Sequence, residues 1–485
     1  MANTELKQLF ELVTCNSSGA SNIQRQINNS LLKHYFSMFT KFKTFSVLLF
    51  LPFLLAEADT SESTYNTDRE SAETITVNLD YVLERVRAYN PQVLFQKEAV
   101  VRALERSYQQ RAALLPQFDI FASQNRQQLG RGFGGGALGN NPPFNSFSAG
   151  IEGRQSLINT DVYANFRIAK LERLIAESNF EVALQDILEQ SVLSYFTVLR
   201  DLRRVEIVQG NIVREMDLLA LAKDQFANGV ATKIDVTRAE VRVATQKRSL
   251  MVAKTTLEDS MFQMMILLDL NLDTELLIDR EIISDVKSPP ALLRYASMEI
   301  LLENRPELFS QQKQLEQAEL AESAASWQRL PQLNVFGRWG YDSGTPFDGA
   351  EENAWLVGIE ASIPLFEGGR IAAEKREAKA AVRQNTYLMR QLSLSIEREF
   401  KFAITDMESR YQQISIASDE MRLGFDEVEL ATERYREGLA DNRELIDAQQ
   451  NLANAELSHL NAIYLYGVSR LAFARSIGAV ERVAE

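Results

Sequence analysis

The sequence predicts a mixed α and β protein in which one large unit, made of a helix, two strands and a long helical hairpin, occurs twice. The first observation is a tandem repeat at offsets of 208 to 215 positions. Leu115-Pro116-Gln117 returns as Leu330-Pro331-Gln332, and Gly229 returns as Gly438. The second observation is that the same strand pattern and helix pattern recur in both copies. A repeat of this length sets the architecture and is too long for a solenoid.

Residues 38–58 have the three parts of a secretory signal peptide. Lys41 and Lys43 supply a basic start, and Phe45–Leu55 supply an apolar run too short to span a bilayer. Ala56-Glu57-Ala58 then forms a small-x-small cleavage site. A buried helix or a membrane anchor is the alternative reading of the same run.

The position of this segment divides the N-terminal part of the chain. We expect the true start at Met38, because the polar residues 1–37 are an extension that no signal peptide needs. Residues 59–78 are then expected to be a flexible mature N-terminus.

Composition excludes several classes of function. A formal net charge of −14 disfavours nucleic-acid binding, which depends on basic contacts to phosphate. The single cysteine, Cys15, lies before the cleavage site, so the mature chain would have no disulfide, thiolate metal site, cysteine nucleophile or lipid-bearing cysteine. His459 would be its only histidine, and no nucleophile elbow accompanies it. We therefore predict no enzymatic activity, no metal and no cofactor.

Each copy opens with a helix that a proline interrupts. The predicted helices are Leu79–Leu115, broken at Asn90-Pro91, and Ala291–Leu330, broken at Arg305-Pro306. Proline is unfavourable inside a helix but favourable in its first turn, so each proline marks a restart. The Leu-Pro-Gln that follows each helix marks the change to a strand.

Two strand pairs follow with a period of two. The apolar positions of the second pair are Leu333, Val335, Trp339, Tyr341, Trp355, Val357 and Ile359. The first pair alternates more weakly, over Phe118–Ser123 and Phe147–Glu152. Segments of about ten residues with aromatic side chains near their ends are typical of transmembrane β-strands. A solvated hairpin remains the alternative. The glycine-rich segment Gly130–Gly136 opens no helix, and we expect an exposed hairpin loop there.

The long helices carry a heptad-like pattern. The predicted seam of the first helix is Leu188, Ser191, Tyr195, Val198, Leu202, Val205, Gln209, Ile212, Met216 and Leu219. It recurs 209 positions later, from Phe400 to Val428. Such spacing predicts coiled-coil packing, and about 65–70 residues at ~1.5 Å each give helices of roughly 100 Å. Each helix ends at a glycine, Gly229 or Gly438, before a returning helix.

Four membrane strands cannot form a closed barrel, because the smallest barrels have about eight strands. Open strand edges are not tolerated in lipid, so several chains would have to combine their strands. Two chains would enclose little more than side chains, whereas three chains with twelve strands would enclose a lumen. This inference depends on the strands being membrane strands.

These features resemble the TolC-like outer-membrane efflux proteins over almost the whole mature chain, from about Leu79 to Ile477. The resemblance includes the tandem copies, Ile363–Arg370 after the last strand, and the hairpin Tyr435–Gly438 followed by Glu444–Gln449. It implies a homotrimer with a twelve-stranded β-barrel in the outer membrane, continued by a long periplasmic α-helical barrel. It also implies a passive exit duct for drug efflux or type I secretion in a Gram-negative bacterium.

The resemblance further implies a gate at the periplasmic tip of the helices. By alignment of the hairpins, Glu444 and Asp447 fall on an acidic constriction, Asp235 on an outer link and Tyr435 on a gate-stabilising tyrosine. Three carboxylates around one axis would attract cations and hinder anions. Helix capping alone is the alternative role of Asp235 and Glu444, whereas Asp447 lies beyond the first turn.

One residue departs from the family's gate. The arginine expected two residues after the tip glycine is Ala440 here, and we consider Arg443 or Arg238 as substitutes. The tips at Gly229 and Gly438 would bind a periplasmic adaptor protein. The further partners that the resemblance implies are outer-membrane lipid and an inner-membrane transporter of the RND, ABC or MFS type.

The predicted organisation is a first repeat over 79–268, a linker over 269–290, a second repeat over 291–477 and a tail over 478–485. The leading functional hypothesis is the trimeric export duct. A secreted periplasmic coiled-coil scaffold without a pore is the alternative, and a periplasmic hydrolase is a third hypothesis with little support.

Overall fold

The computed structural model describes residues 74–128, 143–279, 305–346 and 352–481, all of them within one compact unit. In chain order its elements are β1 (Thr74–Val77), α1 (Leu79–Tyr89), α2 (Pro91–Ala112), β2 (Gln117–Gln127), β3 (Phe144–Ile158), α3 (Thr160–Ala227), α4 (Lys233–Leu267), β4 (Glu275–Ile278), α5 (Pro306–Trp327), β5 (Gln332–Ser343), β6 (Glu352–Ser362), α6 (Arg370–Arg436) and α7 (Asn442–Ser476). The predicted signal peptide, the glycine-rich loop and the start of the second repeat lie outside these residues.

The prolines begin helices as predicted. Asn90 caps α2, since its side chain accepts hydrogen bonds from the N–H groups of Gln92 and Val93 at 2.9 and 3.2 Å. In the second copy Arg305 precedes Pro306 and makes no side-chain cap. Its guanidinium instead pairs with Glu307 in the first turn of its own helix and reaches the end of α7, at the junction between the two repeats.

Two buried arginines form that junction. Arg305 is 4% exposed and donates to the carbonyl oxygens of Arg475 and Ser476 at 3.2 and 2.8 Å. It also pairs with Glu307 at 3.0 Å, and Arg475 pairs with the same carboxylate at 2.8 Å. Arg475 pairs in addition with Asp186 on α3 at 2.6 Å. The C-terminal end of α7 is thereby joined to the helices of both repeats.

The four predicted strands form one antiparallel sheet in the order β2-β3-β5-β6. The pairing of β3 with β5 joins the two copies, and there Gly150 lies opposite Gly340. A Cβ atom built on Gly150 would lie 2.3 Å from the carbonyl oxygen of Trp339 and 2.6 Å from Cα of Gly340. Only glycine fits at this crossing of the two strands.

A second, two-stranded sheet differs from the sequence expectation. Strand β1 pairs in parallel with β4, with Thr74 opposite Glu275. We expected 59–78 to be flexible and 269–290 to be a linker, so neither strand was predicted. Each strand has only four residues, and its partner lies about two hundred positions away, so no local periodicity reveals the pairing.

The long helices have the predicted lengths, 68 residues in α3 and 67 in α6. Leu188, Tyr195 and Val198 lie in the main apolar core, as the predicted seam requires. The helices of the described part of the chain include none apolar enough over a sufficient length to cross a membrane.

Beyond residue 199 the buried positions of α3 lie one residue earlier than the predicted seam. The buried set is Asp201, Val208, Asn211, Glu215, Leu218, Ala222 and Gln225. Met216, which we placed in the seam, is 51% exposed. In α6 likewise Ala417 and Gly424 are buried, whereas Phe425 is 45% exposed. The seam prediction was wrong here, because it followed large apolar residues, whereas the contacts within the chain use mostly small or polar residues.

Candidate gate at the helical hairpin tips

The tip of each helical hairpin is a tight turn around a glycine. Gly229 and Gly438 have φ values of +75° and +74°, in the left-handed region that glycine tolerates. Their N–H groups donate to the carbonyl oxygens of Phe226 and Tyr435, which closes the last turns of α3 and α6. The two tips therefore have the same backbone geometry, and differences between them come from side chains.

Asp235 closes the start of α4. Its carboxylate accepts hydrogen bonds from the N–H and the hydroxyl of Thr232 at 2.9 and 2.6 Å. Arg238 lies 3.5 Å away on the same helix. Burial alone would raise the pKa of Asp235, but the Thr232 hydrogen bonds and the Arg238 charge outweigh it and hold this pKa below its usual value. Asp235 is thus an ionised capping residue in the single chain.

Glu444 has a different partner from its counterpart Asp235. The helix cap here is Asp441, which accepts from the N–H of Glu444 at 3.1 Å. The carboxylate of Glu444 instead pairs with Arg434, on the last turn of α6, at 2.8 Å. Arg434 was not among the candidate arginines. The signal for it was available, because Arg434 ends one helix of the hairpin and Glu444 begins the other.

Asp447 and Arg443 are exposed on α7. Among the described residues, the carboxylate of Asp447 has no hydrogen-bond or ion-pair partner. Arg238, the other candidate substitute, pairs with Asp235. The structure thus brings Asp235 together with Arg238 and Glu444 together with Arg434, and it leaves Asp447 facing solvent in the single chain.

Tyr435 lies between the two hairpins and is 4% exposed. It packs in a cluster with Leu218 and Ala222 of the first hairpin and Leu445 of the second. Burial raises the pKa of its phenol, and the charge of Asp235 raises it further. Its hydroxyl is buried without a hydrogen-bond partner in the described structure. Tyr435 therefore joins the hairpins by packing.

Two buried amides, which sequence reasoning missed, connect the hairpins directly. Gln225 of α3 donates to the carbonyl oxygen of Tyr435 at 2.7 Å, and Asn442 of α7 donates to the carbonyl oxygen of Asp235 at 3.0 Å. Gln225 is 8% and Asn442 2% exposed. Buried amides are normally hydrogen-bonded, and here the bonds fix the relative position of the tips.

At the other end of the long helices, the four-stranded sheet β2-β3-β5-β6, here called the main sheet, has one apolar and one polar face. Trp355, Val357, Ile359 and Ile120 are 68% to 87% exposed and share one face by strand register. The opposite face carries the charged residues Asp119, Glu152, Arg154, Arg338, Asp342, Glu352 and Glu360. A contiguous apolar surface of this kind marks contact with a partner or with a membrane.

Comparison with known proteins identifies a family and relatives that match this chain. The family model described as "Outer membrane efflux protein" matches residues 82–268 and 298–479, one stretch in each copy. The outer membrane protein TolC of Vibrio cholerae is 23% identical over 424 residues, covering 80% of this chain and 89% of the relative. The alkaline protease secretion protein AprF of Pseudomonas aeruginosa is 22% identical, covering 68% and 69%.

A solved structure has the same fold. The outer membrane protein VceC of Vibrio cholerae matches with a TM-score of 0.70 at 17% identity, over 83% of this chain and 96% of that one.

Proposed function

The chain belongs to the outer membrane efflux protein family, whose members are outer-membrane channels and not enzymes, and we propose that it forms the exit duct of a tripartite efflux pump or a type I secretion system. Three identical chains make this duct in the outer membrane of a Gram-negative bacterium. It extends into the periplasm and conducts passively, so an inner-membrane transporter supplies the energy.

The main sheet carries this proposal. It has four strands, with β2 and β6 on its outer edges, and an apolar face that is exposed in the single chain. A sheet with open edges is not stable in lipid, so its edges must pair with those of other chains. Three such sheets give twelve strands, with the apolar face toward lipid and the charged face toward a water-filled lumen.

The helical hairpins extend this tube away from the membrane. Both long helices follow the sheet directly in sequence and run about 100 Å at ~1.5 Å per residue. Six hairpins from three chains would surround one axis. The tips at Gly229 and Gly438 are then the surface for a periplasmic adaptor protein, which connects to a transporter of the RND, ABC or MFS type.

The tips also form the gate. In the trimer, Glu444 and Asp447 contribute carboxylates around the axis, which attract cations and hinder anions. Asp235 and Tyr435 hold the first and second hairpin in place beside them. The family description names efflux, for which we propose small molecules as the cargo, and the name of AprF, a protease secretion protein, favours proteins as a second cargo class.

Fractionation of cells and conductance in planar bilayers test the proposal together. We expect the protein in the outer-membrane fraction and discrete conductance steps from the purified protein. A periplasmic scaffold would instead be recovered as a soluble protein and would give no conductance. That result would contradict the export duct.

A further inference from the structure

The apolar face of the main sheet contains an open groove. Its volume is about 670 Å³, and its walls include Phe118, Ile151, Trp339 and Val357, one residue from each strand. By strand register these four side chains share the apolar face. Charged residues that border the groove, such as Arg154, alternate with them along the strands and belong to the opposite face. The groove therefore presents an apolar surface.

The floor of the groove consists of two glycines. Phe118, Gly153, Gly337 and Val357 form one row across the four strands. The ring of Phe118 lies over Gly153, since a Cβ atom built there would be 2.8 Å from it. At Gly337 the nearest atom to such a Cβ would be 3.7 Å away, so the backbone is uncovered at this point. The groove is thus a notch about one side chain deep in a surface otherwise covered by large apolar side chains.

A notch of this kind in a membrane needs an occupant that matches its shape. Lipid tails are as apolar as the surrounding side chains, so binding depends on van der Waals contact rather than on the hydrophobic effect. An empty notch would forfeit these contacts on one side. A polypeptide segment would also have to satisfy its backbone polar groups within lipid. For a member of a family of outer-membrane channels, a hydrocarbon chain is the occupant that fits.

We propose that the groove binds one acyl chain of a phospholipid from the periplasmic leaflet of the outer membrane, one phospholipid per protein chain. This inference rests on the proposed function, because it requires the apolar face to lie in lipid. The course of the groove indicates the leaflet. Phe118 is the second residue of β2, which follows helix α2 outside the membrane, whereas Val357 is the middle residue of β6. The groove thus runs from the periplasmic boundary toward the centre of the bilayer.

The boundary end of the groove offers a cation for the lipid headgroup. Pro116 lines the groove at this end, and Arg111 is an exposed residue in the last turn of α2, shortly before it. Arginine binds phosphate through paired hydrogen bonds, and its long side chain can lie along apolar surface while its charge stays at headgroup level. Arg111 therefore suits the phosphate of a lipid whose acyl chain enters beside Pro116.

Native mass spectrometry of the purified assembly tests this site. The protein is extracted from outer membranes, exchanged into a detergent that removes loosely held lipid, and released intact. We expect retained phospholipid, up to one molecule per chain. Gly337→Leu fills the floor and Val357→Phe narrows the groove from its wall, so each should lose the retained phospholipid while the oligomer and its conductance persist. Arg111→Ala should lower the retained amount, because the phosphate loses its partner.

Ala122→Leu is the matched control, because it adds apolar bulk to the same face of β2 outside the groove. It should retain phospholipid as the unchanged protein does. Equal retention in all variants, an unchanged protein without phospholipid, or lipopolysaccharide in its place would overturn the inference and leave the proposed duct intact. Absence of any oligomer or conductance in the unchanged protein would overturn the proposed function as well.

Discussion

Arg305 is a buried charged residue whose removal would leave several neighbouring groups without a hydrogen-bond donor. It is 4% exposed and pairs with Glu307 and Glu399 while holding the carbonyl groups at the end of α7. Arg305→Ala leaves a half-buried carboxylate and backbone carbonyls without their donor. We expect a loss of about 3–5 kcal/mol in the free energy of unfolding, measured by denaturant unfolding of the detergent-solubilised protein.

Arg422→Ala is the matched control for this change. The Arg422 side chain is 63% exposed, and its ion-pair partners in the described part of the chain are Asp419 and Asp426 on its own helix. Exposed pairs contribute about 0–1 kcal/mol, so the midpoint of unfolding should hardly move. Similar small losses in both variants would contradict the structural role assigned to Arg305.

The same junction should respond to acid through Glu307. Burial alone would raise the pKa of Glu307, but Arg305, a backbone hydrogen bond and Arg475 together hold this pKa below its usual value. Its stabilising contribution is therefore complete above the unfolded pKa of about 4.3 and is lost as pH falls through the lower folded value. Glu307→Gln should lower stability at neutral pH and flatten the decline below about pH 5.

Glu189 in the same junction acts in the opposite direction. Burial raises the pKa of Glu189 above its usual value, although Arg475 partly offsets the shift. Its contribution is therefore lost as pH rises rather than as pH falls. The free energy of unfolding is therefore measured at several pH values for both Glu307→Gln and the unchanged protein. Because Glu189 is present in both, its contribution cancels when the two free energies are subtracted. Parallel pH profiles for the two proteins would contradict the assignment.

At the tip, the two gate carboxylates should not be equivalent. Glu444 is paired with Arg434 at 2.8 Å, whereas Asp447 has no partner among the described residues. We expect Glu444→Ala combined with Asp447→Ala to raise single-channel conductance and to reduce block by divalent cations, with Asp447→Ala giving most of the second effect. Asp419→Ala, an exposed carboxylate on α6, is the control. Unchanged conductance in the double variant would count against the constriction.

At the scale of elements, the junction of β3 and β5 depends on Gly150. A Cβ atom there would lie 2.3 Å from a carbonyl oxygen of the facing strand, whereas at Gly337 the nearest such atom is 3.7 Å away. We expect Gly150→Ala to separate the two strands and prevent stable assembly in the outer membrane, and Gly337→Ala to be tolerated. Heat-resistant oligomers on gels measure this, and equal yields from both variants would contradict the close approach.

The long helices show which properties of an element can be predicted from sequence patterns. The lengths, the glycine ends and the core around Leu188 and Tyr195 followed from periodicity and capping chemistry. The seam beyond residue 199 did not, because periodicity cannot distinguish a face buried within the chain from a face buried between chains. Met216 and Phe425 satisfy the heptad pattern and yet are half exposed in one chain. We attribute the apolar character of these residues to contact with a neighbouring copy in the proposed trimer.

At the scale of the whole molecule, the internal repeat allowed most of the architecture to be predicted. It identified both strand pairs and both hairpins, and the family match of each copy agrees with it. Pairings between distant segments stayed hidden, as with β1 and β4, because no local signal records them. The contacts of Arg305, Gln225 and Asn442 stayed hidden for the same reason. In the sequence these residues have the pattern of an ordinary helix cap or of polar surface positions, and their contacts exist only once the helices are packed together.

The mass of the detergent-solubilised assembly tests the central claim most directly. In the proposed duct, the four strands of each chain combine with those of other chains into a closed barrel with a lumen, and three chains are the smallest number that provides it. Light scattering of the purified protein, corrected for detergent, should give the mass of three chains. A mass of one chain, or of two chains with an eight-stranded barrel too narrow to conduct, would contradict the account.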